Sequence, residues 1–298
     1  MEHLIKELHT LGVEWEQNCP LSRHSSFRIG GAADLALFPH SSYELCQTLS
    51  LLRANEIPTL VIGNGSNVVF SDEGYRGAVV FTGKCRKIKI EDDIIFADAG
   101  VSLSALSSTA RDESLSGLEF AFGIPGTLGG AIYMNAGAYG GAMSDVCISS
   151  EYYDLEVGKT FGLFEDGQCF GYRKSIYQTY PERVILGATL KLKKGNRKKI
   201  TEEMRTYWDK RRTSQPLELP NAGSIFKRPE GYFAGKLIED CGLKGLTVGG
   251  AQVSEKHAGF IVNIGGATCE DVKRLIEQIQ TTVLQQMGVQ LECEIKFL

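Results

Sequence analysis

The sequence predicts an α+β protein of about two domains, and three observations carry that expectation. At 298 residues the chain is about twice the length of a typical single domain. Hydrophobic residues make up 43% and charged residues 23%, the balance of a globular chain with a sizeable core. Its apolar residues switch between the helical and the strand period several times, in blocks of different order.

The first block reads β-α-β-β. Leu4, Leu8 and Leu11 predict an amphipathic helix over 2–11 ahead of it. A strand over 33–38 stops at Pro39, and Ser41 or Ser42 then caps a helix to about 54 with Leu45, Leu49 and Leu52 on one face. The apolar run TLVIG follows Pro58 and enters Gly63-Asn64-Gly65-Ser66-Asn67; another strand covers 77–82. In the second block, two short strands flank the acidic turn 91–93, a helix covers 102–114, and a glycine-rich loop follows. Strands at 146–156, 160–165 and 182–193 complete it. The charged, helix-favouring stretch 196–212 bridges to the last block. That block holds a helix over 232–241, strands over 248–253 and 258–263, and a helix over 269–287. The last helix opens with the capping-box spacing Thr268-x-x-Asp271 and stops at Gly288. Residues 289–297 alternate apolar Val289, Leu291, Cys293, Ile295 and Phe297 with Glu292, Glu294 and Lys296, which predicts a closing strand. The expected boundaries are 1–85, 86–195 and 196–298.

Composition excludes several classes. A net charge of −4 and a pI near 5.8 leave no electrostatic footprint for nucleic acid. The eight cysteines are never closer than 22 residues, so no metal or redox pattern exists, and reduced thiols in a cytoplasmic protein follow. Residues 120–144 carry no charge, yet their seven glycines and Pro125 argue against a membrane span and for the wall of a buried or ligand-covering loop.

Glycine is the unusual residue, 34 in all, with eight in 117–141 and ten in 223–266. Such clusters belong where backbone takes positive φ or passes close to something. The turn Gly63–Asn67 suits either an anion nest or a plain tight turn. In the segment 123–141, Gly126, Thr127, Gly129 and Gly130 can present backbone amides to a diphosphate, with Asn135 adding an amide side chain. Arg173, in Tyr172-Arg173-Lys174-Ser175, can pair bidentately with a carboxylate or phosphate, or merely be solvated. Ser224 is outside any G-x-S-x-G elbow, and Glu294 shares a polar strand face with Glu292. Spacing alone cannot bring Arg173, Ser224 and Glu294 together.

Longer motifs go further: SSFRIGGAADL at 25–35, GNGSNVVFSDEGYRG at 63–77, GLEFAFGIPGTLGGAIYMNAGAYGG at 117–141, FGYRKSIY at 170–177, NAGSIFKRP at 221–229, GGAQVSEKHAGFIVN at 249–263 and LECEI at 291–295. In content and order they resemble the UDP-N-acetylenolpyruvoylglucosamine reductase family over nearly the whole chain. The resemblance implies an FAD-binding fold of the p-cresol methylhydroxylase and vanillyl-alcohol oxidase type in two α/β subdomains, then an α+β substrate domain. It implies non-covalent FAD held by Gly63, Asn64, Gly65, Ser66, Asn67, Gly123, Pro125, Gly126, Thr127, Gly129, Gly130, Asn135, Ala136 and Gly137. NADPH would be the reductant and UDP-N-acetylglucosamine enolpyruvate the small-molecule substrate of a monomer, with no metal. Arg173 and a protonated Glu294 would stabilise the enolate-like charge that hydride addition creates, and Ser224 would protonate it. Tyr172, Lys227, Arg228 and Gln252 would contact substrate, Lys227 also acidifying the Ser224 hydroxyl. The short run from 193 to 196 and the end soon after ECEI are similar to the shorter subtype. Two other readings remain: an oxidase on the same flavin fold, opposed by the lack of His or Cys in the glycine-rich segments, and a non-enzymatic nucleotide-binding module.

Overall fold

A computed structural model describes residues 2–298. In chain order its first elements are α1 (Glu2–Leu11), β1 (Glu14–Pro20), β2 (Ala32–Phe38), α2 (Ser42–Ala54), β3 (Thr59–Ile62), β4 (Val68–Val69) and β5 (Tyr75–Phe81). Next come β6 (Ile88–Glu91), β7 (Ile94–Asp98), α3 (Leu103–Asp112), β8 (Leu115–Ser116), α4 (Leu128–Met134), β9 (Gly137–Ala138), β10 (Gly141–Ala142), β11 (Cys147–Asp154), β12 (Lys159–Phe164), β13 (Arg183–Lys191) and β14 (Lys193–Lys194). The chain finishes with α5 (Arg197–Ser214), β15 (Asn221–Ser224), α6 (Ala234–Asp240), β16 (Thr247–Val248), β17 (Ala251–Val253), β18 (Phe260–Asn263), α7 (Cys269–Met287) and β19 (Lys296–Phe297). This is the α+β class that the sequence predicts.

The chain divides into two compact units, each discontinuous in sequence. Of the described residues the first comprises 2–17, 34–64 and 76–209; the second comprises 18–33, 65–75 and 210–298.

The first unit has two apolar cores. Leu4 and Leu8 of α1, Leu45, Leu49 and Leu52 of α2 and Leu35, Leu37, Ala78 and Val80 of the strands form one. Serving it is a sheet in the order β1-β2-β5-β3, in which β3 runs parallel to β5 with Thr59 opposite Ala78. Ser41 caps α2 by accepting the Glu44 N–H at 3.1 Å, so Ser42 is already helical. The second core lies under the antiparallel sheet β12-β11-β13-β7-β6 and gathers Ile95, Leu106, Leu128, Ile132, Tyr177 and Leu190. The acidic turn predicted between β6 and β7 is present, with Asp92 at φ +56°. Among the described residues no helix is long and apolar enough to cross a membrane.

The second unit packs α6 and α7 on the sheet β15-β18-β17-β16, around Phe27, Ile29, Val69, Ile225, Ile261, Val272, Leu275 and Ile279. The capping box of α7 is formed: the Asp271 N–H donates to Thr268 Oγ1 and the Thr268 N–H to Asp271 Oδ2, each at 3.0 Å. Asp72 adds a second cap, accepting the N–H groups of Cys269 at 2.8 Å and Glu270 at 3.2 Å. Gly288 ends the helix at φ +68°.

Three local expectations are corrected, and one strand is new. The glycine-rich loop contains the helix α4, because Leu128, Gly129, Ala131, Ile132 and Met134 are all buried; tertiary burial overrides the poor helix propensity of glycine. The expected strand 248–253 is a hairpin whose two turn residues are Gly249 and Gly250, with Val248 opposite Ala251. The predicted strand 289–297 buries Leu291 and Ile295 but pairs in pieces. Cys293 bridges Phe226, and only Lys296–Phe297 forms a regular strand, parallel to β4. Strand β1 leaves no signal in the sequence, since EWEQNCP lacks a clean alternation of apolar residues.

Candidate active site

In the first unit the two glycine motifs meet. A Cβ at Gly63 would collide with Thr127 Oγ1, so this approach is open only to glycine. Asn64 Nδ2 donates to Pro125 O at 3.5 Å. Thr127 caps α4, its hydroxyl accepting the Gly130 N–H at 3.4 Å. Backbone bonds from Leu128 to Val101 O and from Gly129 to Ala99 O, each 2.8 Å, fix the segment on the sheet end. A Cβ at Gly129 would stand 2.9 Å from Ala99 Cβ. Gly130, by contrast, is exposed, with no neighbour closer than 3.6 Å to where its Cβ would be. This glycine-lined surface free of side chains at the start of a helix fits the diphosphate of FAD.

The end of α4 is held differently. Asn135 takes the left-handed conformation, φ +41°, and its amide bridges two segments. Nδ2 donates to Gly171 O at 2.9 Å, and Oδ1 accepts the Ser144 N–H at 2.9 Å. Ala136 N–H returns to Ala131 O at 2.8 Å, and Gly137 pairs with Ala142 in the small hairpin β9–β10. Gly123 lies just before this helical part, half-buried.

Arg173 is brought to this hairpin. Reciprocal bonds between Gly171 and Lys174, 3.0 and 3.2 Å, close a turn with Tyr172 and Arg173 at its tip. Tyr172 is exposed, whereas Arg173 is half-buried and donates from Nη1 to Gly137 O at 3.0 Å. Arg173 has φ +54°, a conformation that costs a non-glycine residue about 1–3 kcal/mol and persists only when its surroundings enforce it.

The second unit holds the rest. Gly65, at φ +59°, is packed so tightly on His24 O that no side chain fits. Ser66 follows, half-buried, and Asn67 Nδ2 donates to Glu294 O at 3.3 Å. Glu294 is tied to the Ser224 segment, its N–H donating to Ile225 O at 2.8 Å. Ser224 Oγ donates to Phe226 O at 3.1 Å. Glu292 is exposed while Glu294 is half-buried, so the two acids of that polar face are not equivalent. Lys227 pairs with Glu292 through both its ammonium and its N–H. Arg228 is exposed, stacked 4.0 Å from the Phe233 ring centroid. Gln252 Nε2 donates to Thr247 Oγ1 at 3.0 Å. Thus the second unit joins Gly65–Asn67, Ser224 and Glu294, and the first joins Gly63, Asn64, the 123–137 segment and Arg173.

Two contributions escaped sequence reading. In α5, Tyr207 stacks on Tyr139 at 4.5 Å and Trp208 packs edge-on to Phe122 at 6.3 Å, so the bridging helix clasps the glycine-rich segment. The signal was there, two adjacent aromatics in an otherwise charged helix. Glu203 accepts the Tyr207 hydroxyl at 2.6 Å and pushes that phenol up to about 12.

His257 is the second. Its Nδ1 accepts the Gly259 N–H at 3.1 Å, and Gly259 O accepts the Ile225 N–H at 2.9 Å, beside Ser224. Burial pushes the imidazole below its ordinary value of 6.5; a backbone hydrogen bond at His257 opposes this in part, Lys244 adds a smaller lowering and Glu239 a smaller rise. A neutral form favoured by folding means that the unfolded chain binds the extra proton first. Stability is therefore present above pH 6.5 and lost as pH falls through the window below it. Urea midpoints are expected to drop between pH 7.5 and 5.5, and His257→Gln, which cannot titrate, to drop less. Equal losses in both proteins would remove His257 from the account.

A model of an FAD binding domain matches residues 33–162, and a model of the UDP-N-acetylenolpyruvoylglucosamine reductase C-terminal domain matches 215–298. A UDP-N-acetylenolpyruvoylglucosamine reductase of Caldanaerobacter subterraneus is 49% identical over 279 residues, 94% of this chain and 92% of the relative. One of Clostridioides difficile is 47% identical over 280 residues, 94% and 91%. The crystal structure of the corresponding Thermus caldophilus reductase superposes with a TM-score of 0.79 at 34% identity, covering 96% of this chain and 98% of that one.

Proposed function

The chain belongs to the UDP-N-acetylenolpyruvoylglucosamine reductase family, and on that premise we propose a catalytic role for each of three of its residues. The reaction is the NADPH-dependent reduction of UDP-N-acetylglucosamine enolpyruvate to UDP-N-acetylmuramate in peptidoglycan synthesis. FAD, when bound, relays hydride from NADPH to the terminal vinyl carbon.

Hydride arriving at that carbon leaves negative charge on its neighbour and the adjoining carboxylate. Arg173 and a protonated Glu294 donate to that charge, and preorganised donors of this kind are worth most where water is excluded. Ser224 then delivers its hydroxyl proton to the charged carbon and is reprotonated from solvent. The observation that supports this best is the 2.8 Å bond from Glu294 N–H to Ile225 O, which ties the backbone of Glu294 to the residue after Ser224. Arg173, held at positive φ by its turn, is the third group in the proposal.

FAD is held without a covalent tether by Gly63, Asn64, Gly65, Ser66, Asn67, Gly123, Pro125, Gly126, Thr127, Gly129, Gly130, Asn135, Ala136 and Gly137, mostly through backbone groups. Residues 1–85 and 86–195 serve the cofactor and 196–298 the substrate, which Tyr172, Lys227, Arg228 and Gln252 contact. The protein works as a cytoplasmic monomer.

Anaerobic mixing tests the reading. NADPH is expected to bleach the bound flavin, and the enolpyruvyl sugar nucleotide to restore its absorbance with one turnover of product. Reoxidation by oxygen but not by the sugar nucleotide would favour an oxidase, and a colourless protein that takes up no FAD would favour a binding module. Flavin that stays on the denatured chain would sink the non-covalent mode.

A further inference from the structure

Gln178 stands five residues beyond Arg173, on the short turn Ile176–Gln178, and has no part in the chemistry above. Its side-chain nitrogen carries two hydrogens, and each meets a backbone carbonyl: Arg173 O at 2.9 Å and Tyr133 O at 3.0 Å. Both partners are acceptors, which fixes the orientation of the amide. Tyr133 lies in the last turn of α4, where carbonyls lack partners within the helix, and Ser175 Oγ donates to the same oxygen at 2.7 Å. One amide therefore ties the arginine's own peptide to the end of the glycine-rich helix.

That tie acts where the backbone most needs it. Arg173 sits at φ +54°, and its guanidinium reaches Gly137 O, three residues past the end of α4. If the Arg173 carbonyl is released, the peptide can rotate out of the left-handed region, and the Cα–Cβ direction turns with it. The guanidinium then loses its fixed position while remaining in the protein. We propose that Gln178 is a positioning residue that locks Arg173 in register with the glycine-rich helix for the reductive step. The proposal rests on the catalytic reading of Arg173.

The test uses the FAD-loaded enzyme and follows its two half-reactions separately by stopped flow. Gln178→Met, of similar length with no donor, is expected to slow reoxidation by the enolpyruvyl sugar nucleotide about tenfold or more, since small misplacements of a positioned group are costly. Flavin reduction by NADPH stays within about twofold on the same argument. Gln178→Lys, whose ammonium keeps donors for both carbonyls, recovers most of the loss; Gln178→Glu, a second donor-free variant, repeats it if the Met variant folds poorly. In an Arg173→Ala background Gln178→Met should slow reoxidation no further, because the two residues act as one unit. Equal slowing in both backgrounds, or of both half-reactions, means a general structural role and overturns the proposal. So does normal reoxidation by Gln178→Met when Arg173→Ala is slow. Normal reoxidation by Arg173→Ala itself would overturn the catalytic reading, and the proposal with it.

Discussion

Ser224→Ala is expected to slow flavin reoxidation by the enolpyruvyl substrate by about 10³-fold, within the range that a positioned general acid supplies. Flavin reduction by NADPH should stay within about twofold, because no proton is delivered to carbon in that step. The backbone gives no reason for collapse: β15 keeps its register, with Ser224 opposite Phe260, whatever the side chain. Losing the hydroxyl leaves Phe226 O without a donor it now has at 3.1 Å, a cost of about 1 kcal/mol in stability. Stopped-flow traces of the two half-reactions decide it, and equal losses in both would remove Ser224 as proton donor.

Gly63→Ala should weaken FAD retention by about 100-fold, or about 2.7 kcal/mol. The added Cβ collides with the Thr127 side chain, at Oγ1 first and with Thr127 Cβ and Cγ2 at 3.3 Å. Threonine can yield only by rotating, and its hydroxyl then leaves the Gly130 N–H that it caps. Loss of a cap costs about 1 kcal/mol, and the first turn of α4 shifts with it. That turn is the proposed diphosphate seat, so the cofactor feels the displacement more than the fold does. Thr127→Ala alone, which deletes the same cap without any collision, should weaken retention in the same direction. Flavin fluorescence on dilution measures both variants; full retention by Gly63→Ala would show that the cofactor sits elsewhere.

Much of the fold is legible from local chemistry. Thr268-x-x-Asp271 announces α7, and Ser41 announces α2, because caps act over three residues and leave their signature in the sequence. The helix α4 is not legible, since glycine disfavours it and only burial against the sheet supplies the missing stability. Residues 289–297 mislead in the opposite sense: their alternation is real, but their hydrogen bonds go to Lys227, Ile225 and Asn67 in turn rather than to one strand. The site is less legible still. The segments of Ser224 and Glu294 are joined by the backbone bond from Glu294 to Ile225, which leaves no trace in residue type, and the left-handed turn at Arg173 falls on a residue that rarely adopts it. Family resemblance singles out those residues; the structure shows which backbone segment holds each.

The interrupted second unit bears on how the protein is made. Residues 18–33 and 65–75 leave the ribosome early, yet their apolar Phe27, Ile29 and Val69 pack with Ile225, Ile261 and Val272, which are translated far later. Domains ordinarily fold as they are completed, N-terminal first. Here residues 76–209 can finish the first unit while two earlier segments still wait, apolar and unburied. An excised 210–298 fragment, which lacks Phe27, Ile29 and Val69, should accordingly aggregate rather than fold, as its sedimentation would show.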